Sequence, residues 1–343
     1  MFMPAPATKA SAGAGNMTYR MPAEWERHAA TWLAWPKNRS TWPGKSLAQV
    51  EGIYLQMIAA LLEGETVNLL VDDKPTAEMV LSRLQGQSLP ELNRLRDCPC
   101  RPGARLIFHR VRTADAWIRD YGPIFVGRRA FTKWKFNAWG GKYRDLAKDD
   151  SVVDRIGALK KFKRVDTGMV LEGGAIDVDG QGTCLTTEQC LLSPNRNPEL
   201  MRWAIEERLG RFLGIRKVIW LKKGIEGDDT DGHVDNLARF VAPATVVTAA
   251  SGENLNILES ARDARGRRLK IVKLPMPRPP ASYANFYIAN TCVLLPVYSH
   301  KNDGKAVRFF EKIFPKKRII PIESSALVRG FGSIHCVTQQ QPV

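Results

Sequence analysis

Apolar positions along the chain recur with two alternating periods. Residues 47–62 repeat them every three or four positions, which predicts an amphipathic helix, and 67–71 form the short apolar run of a buried strand. Helical spacing returns at 81–84, 152–162, 198–209, 255–264 and 306–313; single strands are predicted at 106–111, 218–221, 271–274 and 319–322. Four hairpins are predicted between these: 124–126 with 130–136, 169–178 with 183–187 across an Asp179-Gly180 turn, 234–240 with 245–248, and 287–289 with 292–296. Asn197 is placed to cap the 198–209 helix and Gly210 falls just past its end. Hairpin, helix and strand thus return as a unit roughly every 60 residues, repeating in pattern and not in residue identity. A ring of such units brings one hairpin end from each to a common axis, where a site can be assembled from distant segments. The pattern predicts one α/β domain over residues 19–343 behind a flexible Ala/Gly/Ser/Pro-rich tail, residues 1–18.

Composition changes this picture little. With 44% hydrophobic and 25% charged residues, the 343-residue chain reads as an ordinary globular protein. It has no apolar run long enough to span a bilayer and no signal-peptide pattern. The six cysteines are too sparse and irregular for a disulfide framework, which predicts reduced thiols in the cytoplasm. Cys98 and Cys100 flank a proline but supply only two thiols, so a zinc site there needs ligands from elsewhere. The net charge of +16 comes from clusters scattered along the chain, such as 160–164, 265–273 and 312–318, without a nucleic-acid-binding motif. It predicts a basic solvated surface, with no nucleic acid and no membrane as partner.

Against that background the stretch from Glu226 to Asp235 stands out, with carboxylates at Glu226, Asp228, Asp229, Asp231 and Asp235 and no basic residue. Such a cluster repels itself and calls for a metal, a basic side chain or a cationic substrate. His233 and Asp235 alternate at the start of a predicted strand, so both are expected on one face. Trp117 and Asp120 precede another strand, and an aromatic face beside a carboxylate suits a planar cation. Glu172 lies among apolar neighbours next to Gly173 and Gly174, where burial raises a carboxyl pKa and the glycines let a ligand approach the backbone. Cys336, preceded by Gly332 and His335, is the candidate nucleophile, whereas Cys184, Cys190 and Cys292 fall in apolar, strand-like contexts that predict packing.

Taken in order, these segments resemble the agmatine deiminases of the guanidine-modifying superfamily, relatives of arginine deiminases and bacterial peptidylarginine deiminases. The resemblance runs from about Met21 to Pro342 and includes Met21-Pro-Ala-Glu-Trp-Glu, Trp32-Leu-Ala-Trp-Pro, Trp117-Ile-Arg-Asp-Tyr-Gly-Pro, Leu171-Glu-Gly-Gly, Leu191-Leu-Ser-Pro-Asn-Arg-Asn-Pro, Asp231-Gly-His-Val-Asp-Asn, Asn285-Phe-Tyr-Ile-Ala-Asn and Ile334-His-Cys-Val-Thr-Gln-Gln-Gln-Pro. It implies a five-bladed pseudo-symmetric α/β propeller in a single domain, and a homodimer is its expected assembly. It further implies Cys336 as nucleophile, His233 and Glu172 as the acid/base pair, Asp120 and Asp235 on the guanidinium nitrogens, and Trp117 lining the pocket. Agmatine would give N-carbamoylputrescine and ammonia through an amidino-cysteine, with no metal and no cofactor.

The far end of agmatine is an ammonium, for which Asp228 and Asp229 are the available carboxylates. The family reads Asp-Glu-Thr-Asp-Gly-His where this chain has Asp228-Asp-Thr-Asp-Gly-His, and Gly-Gly-Gly-Asn-Ile-His-Cys where it has Gly330-Phe-Gly-Ser-Ile-His-Cys. Asp229 therefore reaches about one methylene less far, and Phe331 in a glycine-rich turn reshapes the pocket. An arginine or peptidyl-arginine substrate keeps the same catalytic residues and wants a cation at the mouth, such as Lys142 or Arg144. Two readings outside this chemistry are a metal-dependent hydrolase built on Asp231, His233 and Asp235, and a nucleic-acid-binding protein using the basic surface.

Overall fold

A computed structural model describes residues 19–86 and 105–343. The expectations for the tail and for Cys98 and Cys100 lie outside these. The described chain forms five small sheets. Strands β4 (Ile124–Gly127), β5 (Ala130–Lys135) and β6 (Lys163–Val170) make one; β7 (Asp177–Val178), β8 (Thr183–Thr187) and β9 (Lys217–Leu221) the next. A third holds β10 (Ala238–Ala242), β11 (Thr245–Thr248) and β12 (Lys270–Lys273), and a fourth β13 (Tyr287–Ile288), β14 (Cys292–Val297) and β15 (Arg318–Glu323). In each, an antiparallel hairpin is followed by a helical crossover to a parallel third strand. The hairpin–helix–strand unit is thus one blade of an α/β propeller.

The fifth sheet has the order β16-β1-β2-β3, from β16 (Gln339–Pro342), β1 (His28–Ala34), β2 (Thr66–Val71) and β3 (Leu106–Arg110). Its antiparallel pair joins the two ends of the chain, with Trp32 opposite Gln339 and Thr31 opposite Gln340. This closes the ring and leaves no free edge between the first and last blades. Helix α1 (Ser46–Leu62), which connects β1 to β2, is apolar on nearly all sides because it packs on β2 and also on β14 and β15 of the neighbouring blade.

Several predicted boundaries move, each for a local reason. Residues 169–178 are not one strand: β6 ends at Val170, Gly173–Ala175 makes a helical turn, and only Asp177–Val178 pairs with β8. The predicted 198–209 helix runs from Arg202 to Leu213. Asn197 does not cap it, because its side chain bonds the backbone N–H and C=O of Val170, and the left-handed Gly214, not Gly210, ends it. The strand predicted from Val234 begins only at Ala238, after a turn at Val234–Asn236.

The centre of the ring is ionic. Arg239, on β10 and fully buried, contacts Glu24 at 2.8 Å and Asp177 of β7 at 2.5 Å, and donates to the carbonyl of Phe286 at 3.0 Å. Replacing one partner of a buried pair leaves the other charge uncompensated, at a cost of about 3–5 kcal/mol. Arg239→Leu should therefore lose about 3–5 kcal/mol in urea unfolding. A variant as stable as the parent would show that this ion network does not hold the blades together.

Candidate active site

Immediately before the first strand of each blade the chain makes a single helical turn. These turns are Ile118–Tyr121 before β4, Gly173–Ala175 before β7, Val234–Asn236 before β10, Tyr283–Asn285 before β13 and His335–Val337 before β16. They touch in sequence around the axis. The circle closes where Asn285 Oδ1 accepts the backbone N–H of His335 at 2.9 Å. A residue in or beside each turn faces the same point: Asp120, Glu172, His233 with Asp235, Asn285, and Cys336. The five residues expected to carry the chemistry are thus brought together by the pseudo-fivefold repeat. His233 and Asp235 share the site through the Val234–Asn236 turn, and not through the alternation of a strand.

Gly174 lies at the meeting point. A Cβ there would fall 2.6 Å from His233 Nδ1, 3.0 Å from Asp120 Oδ1 and 3.1 Å from Asp235 Oδ2, so only glycine fits. Asp120 accepts from Gly174 N at 3.1 Å and from Trp139 Nε1 at 3.0 Å. Arg119 does not neutralise it, since that guanidinium turns to the His335 carbonyl, Gln340 and Glu24. Glu172 Oε1 is paired with Arg196 at 2.7 Å, and Arg196 also holds Asp231 at 2.9 Å. Asp235 Oδ2 lies 2.7 Å from His335 Nδ1, whose Nε2 lies 2.8 Å from Glu24. Asn285 Nδ2 donates to Cys336 Sγ at 3.2 Å. Buried polar atoms without a hydrogen-bond partner include Glu172 Oε2, Asp235 Oδ1 and both ring nitrogens of His233.

Each group's electrostatics follows from these neighbours. Burial, reinforced by the charges of Asp235 and Glu172, holds the Asp120 carboxyl well above its ordinary range. Burial also raises Glu172, with Arg196 opposing it. For Asp235 burial works in the same direction, but the hydrogen bond and charge of His335 outweigh it and the carboxyl lies below the usual range. Burial lowers His233 to about 3, so its imidazole is neutral. Burial, then the charges of Asp235 and Asp120, push the Cys336 thiol well up. Cys336 is thus a thiol in a nest of carboxylates, and a cation entering between them reverses that bias.

A cavity of about 1210 Å³ opens onto this centre, lined by Trp117, Asp120, Trp139 and Cys336 at depth and by Lys142, Tyr143, Arg144, Asp229 and Phe331 among its other residues. Asp229 is half-buried and takes a 2.5 Å hydrogen bond from Tyr143. Asp228 is not available to a ligand: its carboxylate is consumed by Thr230, Gly232 N and His233 N. Lys142 is engaged by Asp231 and by the Asp229 carbonyl. Asp231, His233 and Asp235 are not brought together as a metal site, since Asp231 is turned to Lys142, Asn195 and Arg196. Among the described residues the cluster close enough to hold an ion is Glu172, Cys190 and His233. Asn285, Arg196, His335 and Trp139 were not anticipated as site residues. For Asn285 a signal existed, since a polar residue a few positions before a blade's first strand recurs around the ring.

Residues 20–342 match the family described as Porphyromonas-type peptidyl-arginine deiminase. The chain is 36% identical to an agmatine deiminase of Medicago truncatula, over 94% of this chain and 96% of that one. Among solved structures it resembles the agmatine deiminase of Enterococcus faecalis with a TM-score of 0.82 at 32% identity, covering 95% of this chain and 96% of that one. A serine-for-cysteine variant of a C. jejuni agmatine deiminase, solved with substrate bound, aligns with a TM-score of 0.76 at 28% identity over 97% of this chain and 98% of that one.

With its thiol pKa raised, Cys336 should react slowly with iodoacetamide at neutral pH, and faster as the pH rises into the alkaline range, measured by peptide mapping against Cys336→Ala. Alkylation that stays fast down to mildly acidic pH would mean that a thiolate stands in the free protein.

Proposed function

Because the chain belongs to the Porphyromonas-type peptidyl-arginine deiminase family, we propose that it hydrolyses agmatine to N-carbamoylputrescine and ammonia, with Cys336 as nucleophile. One observation carries the reading. The buried, mutually repelling carboxylates of Asp120, Asp235 and Glu172 surround a cysteine at the end of a cavity, with acceptor atoms of Glu172 and Asp235 left unpaired. A guanidinium ion, planar and rich in N–H donors, fits that demand.

Asp120 and Asp235 take the guanidinium nitrogens, and Trp117 lines the way in. The incoming charge lowers the cost of ionising Cys336, and neutral His233 accepts the thiol proton. Sγ adds to the guanidinium carbon. His233 returns a proton to one nitrogen, and the C–N bond breaks to release ammonia. The S-amidino intermediate is then attacked by water, which gives its proton to His233. The C–S bond breaks, leaving the ureido product and the thiol. Glu172, fixed by Arg196, faces the imidazolium of each half-reaction and steadies it. Asn285 holds Sγ in line through its 3.2 Å contact. At the far end, Asp229 receives the substrate ammonium. No helix among the described residues is long and apolar enough to cross a membrane. The described cysteines are free thiols, which supports a reducing compartment, the cytoplasm.

Ammonia release tests this with agmatine, arginine and a blocked arginine peptide supplied in parallel. The expected result is turnover of agmatine, unchanged by chelator and reduced at least about 10⁴-fold in Cys336→Ala. Turnover of the arginine substrates alone would keep the chemistry and overturn the substrate. Activity that survives Cys336→Ala would overturn the nucleophile.

A further inference from the structure

Gly330-Phe331-Gly332 is built the wrong way round for backbone freedom. Phe331 carries φ +68°, in the left-handed region, while neither flanking glycine has a positive φ. The glycines are required for another reason. A Cβ on Gly330 would lie 2.8 Å from Trp42 Nε1, and one on Gly332 would lie 2.3 Å from Trp117 Cζ3. The loop is pressed against the Trp42–Trp117 pair, whose ring centroids are 5.3 Å apart, and Phe331 is carried outward to the cavity. For a bulky residue such a φ is a genuine outlier, and it persists only where something repays it.

The backbone is held by the turn that ends the short helix Ser325–Val328, where Phe331 N–H donates to the Val328 carbonyl at 2.9 Å, a position that glycine fills without strain, and the phenyl ring takes no part in it. The ring is 51% exposed, and among the described residues it has no aromatic partner. Trp139 makes the contrast, because it is also held at positive φ (53°) on the same cavity, and there the strained backbone aims its indole N–H at Asp120. Tyr143 is 40% exposed, packs edge-on against Trp139 at 5.9 Å and donates to Asp229. Indole, phenol and carboxylate therefore form a fixed wall, and Phe331 is an uncommitted aromatic ring on the cavity they line.

We propose that Phe331 is a specificity-determining residue, its ring closing over the alkyl chain and terminal ammonium of the substrate while Asp229 and Tyr143 receive that ammonium from the other side. The inference rests on the agmatine reading. An aromatic face attracts an ammonium and covers methylenes at the same time. The complex would then remove from water a ring that is 51% exposed without substrate.

The test compares agmatine with N-ethylguanidine, which keeps the reacting group and lacks the ammonium, in the unaltered enzyme, Phe331→Gly and Phe331→Tyr. Glycine accepts the backbone conformation, so Phe331→Gly should melt no lower than the parent. Its KM for agmatine should rise about tenfold with kcat nearly unchanged, its kcat/KM for N-ethylguanidine should stay within about twofold, and Phe331→Tyr should restore the agmatine KM. An unchanged agmatine KM in Phe331→Gly would overturn the inference. So would an equal loss on both guanidines, because that pattern belongs to a loop that merely positions Cys336. If the unaltered enzyme turns over no agmatine, the substrate reading and this inference fall together; if it does and the ratio between the two guanidines is unmoved, only the inference falls.

Discussion

The Glu24 carboxylate stands at the centre of the ring although Glu24 belongs to no blade. Arg239 of β10 reaches it at 2.8 Å, His335 of the last turn at 2.8 Å, Arg119 of the first turn at 3.6 Å, and the backbone N–H of Ile288 in β13 at 2.8 Å. The remaining blade joins through Asp177, the second partner of Arg239. Burial opposes ionisation of Glu24, but Arg239 and His335 more than offset it and the carboxyl lies far below the usual range. Directly or through Arg239, this buried charge thus ties all five blades to one point. Through His335 it also reaches the chemistry, since the same imidazole holds Asp235 next to the residue that follows it in sequence, Cys336.

The site depends on leaving one charge unpaired. Glu172 is paired with Arg196 and Asp235 with His335, whereas among the described residues Asp120 has hydrogen bonds and the neutral His233 ring at 3.7 Å but no cation in contact. The empty protein pays for this with a protonation-prone Asp120 and a thiol pushed away from ionisation. A guanidinium supplies the missing positive charge, so with Cys336 in its proposed role, binding and activation of the thiol are one electrostatic event. This is why a basic chain can hold a site for a cation: the local arrangement within a few ångströms outweighs a screened net charge.

Much of this was readable in the sequence where signals are local. Four blades announce themselves as hairpins, and Asp120, Glu172, His233, Asp235 and Cys336 are conspicuous as charge or sulfur set in apolar or glycine-rich surroundings. The first blade was readable only in part: its helix and two parallel strands match the predictions at 47–62, 67–71 and 106–111, but its hairpin is made from opposite ends of the chain. Its closing strand is also polar: Gln339, Gln340 and Gln341 are buried, and their side chains bond the Pro123 carbonyl, Arg119 and Trp32 respectively. Hydrophobic periodicity is blind to such a strand. Arg196 and Asn285 were missed for a similar reason. One more arginine in a chain of charge +16 draws no notice, and a neutral amide declares its role only once its partners are in place.

The central claim is that Cys336 becomes covalently bonded to the substrate's guanidinium carbon. Rapid acid quench during agmatine turnover, followed by peptide mass mapping, examines that bond directly. The account predicts an amidino adduct on the peptide carrying Cys336, present only during turnover and absent from Cys336→Ala. Full turnover with every cysteine unmodified at all quench times, or an adduct on another cysteine, would contradict it.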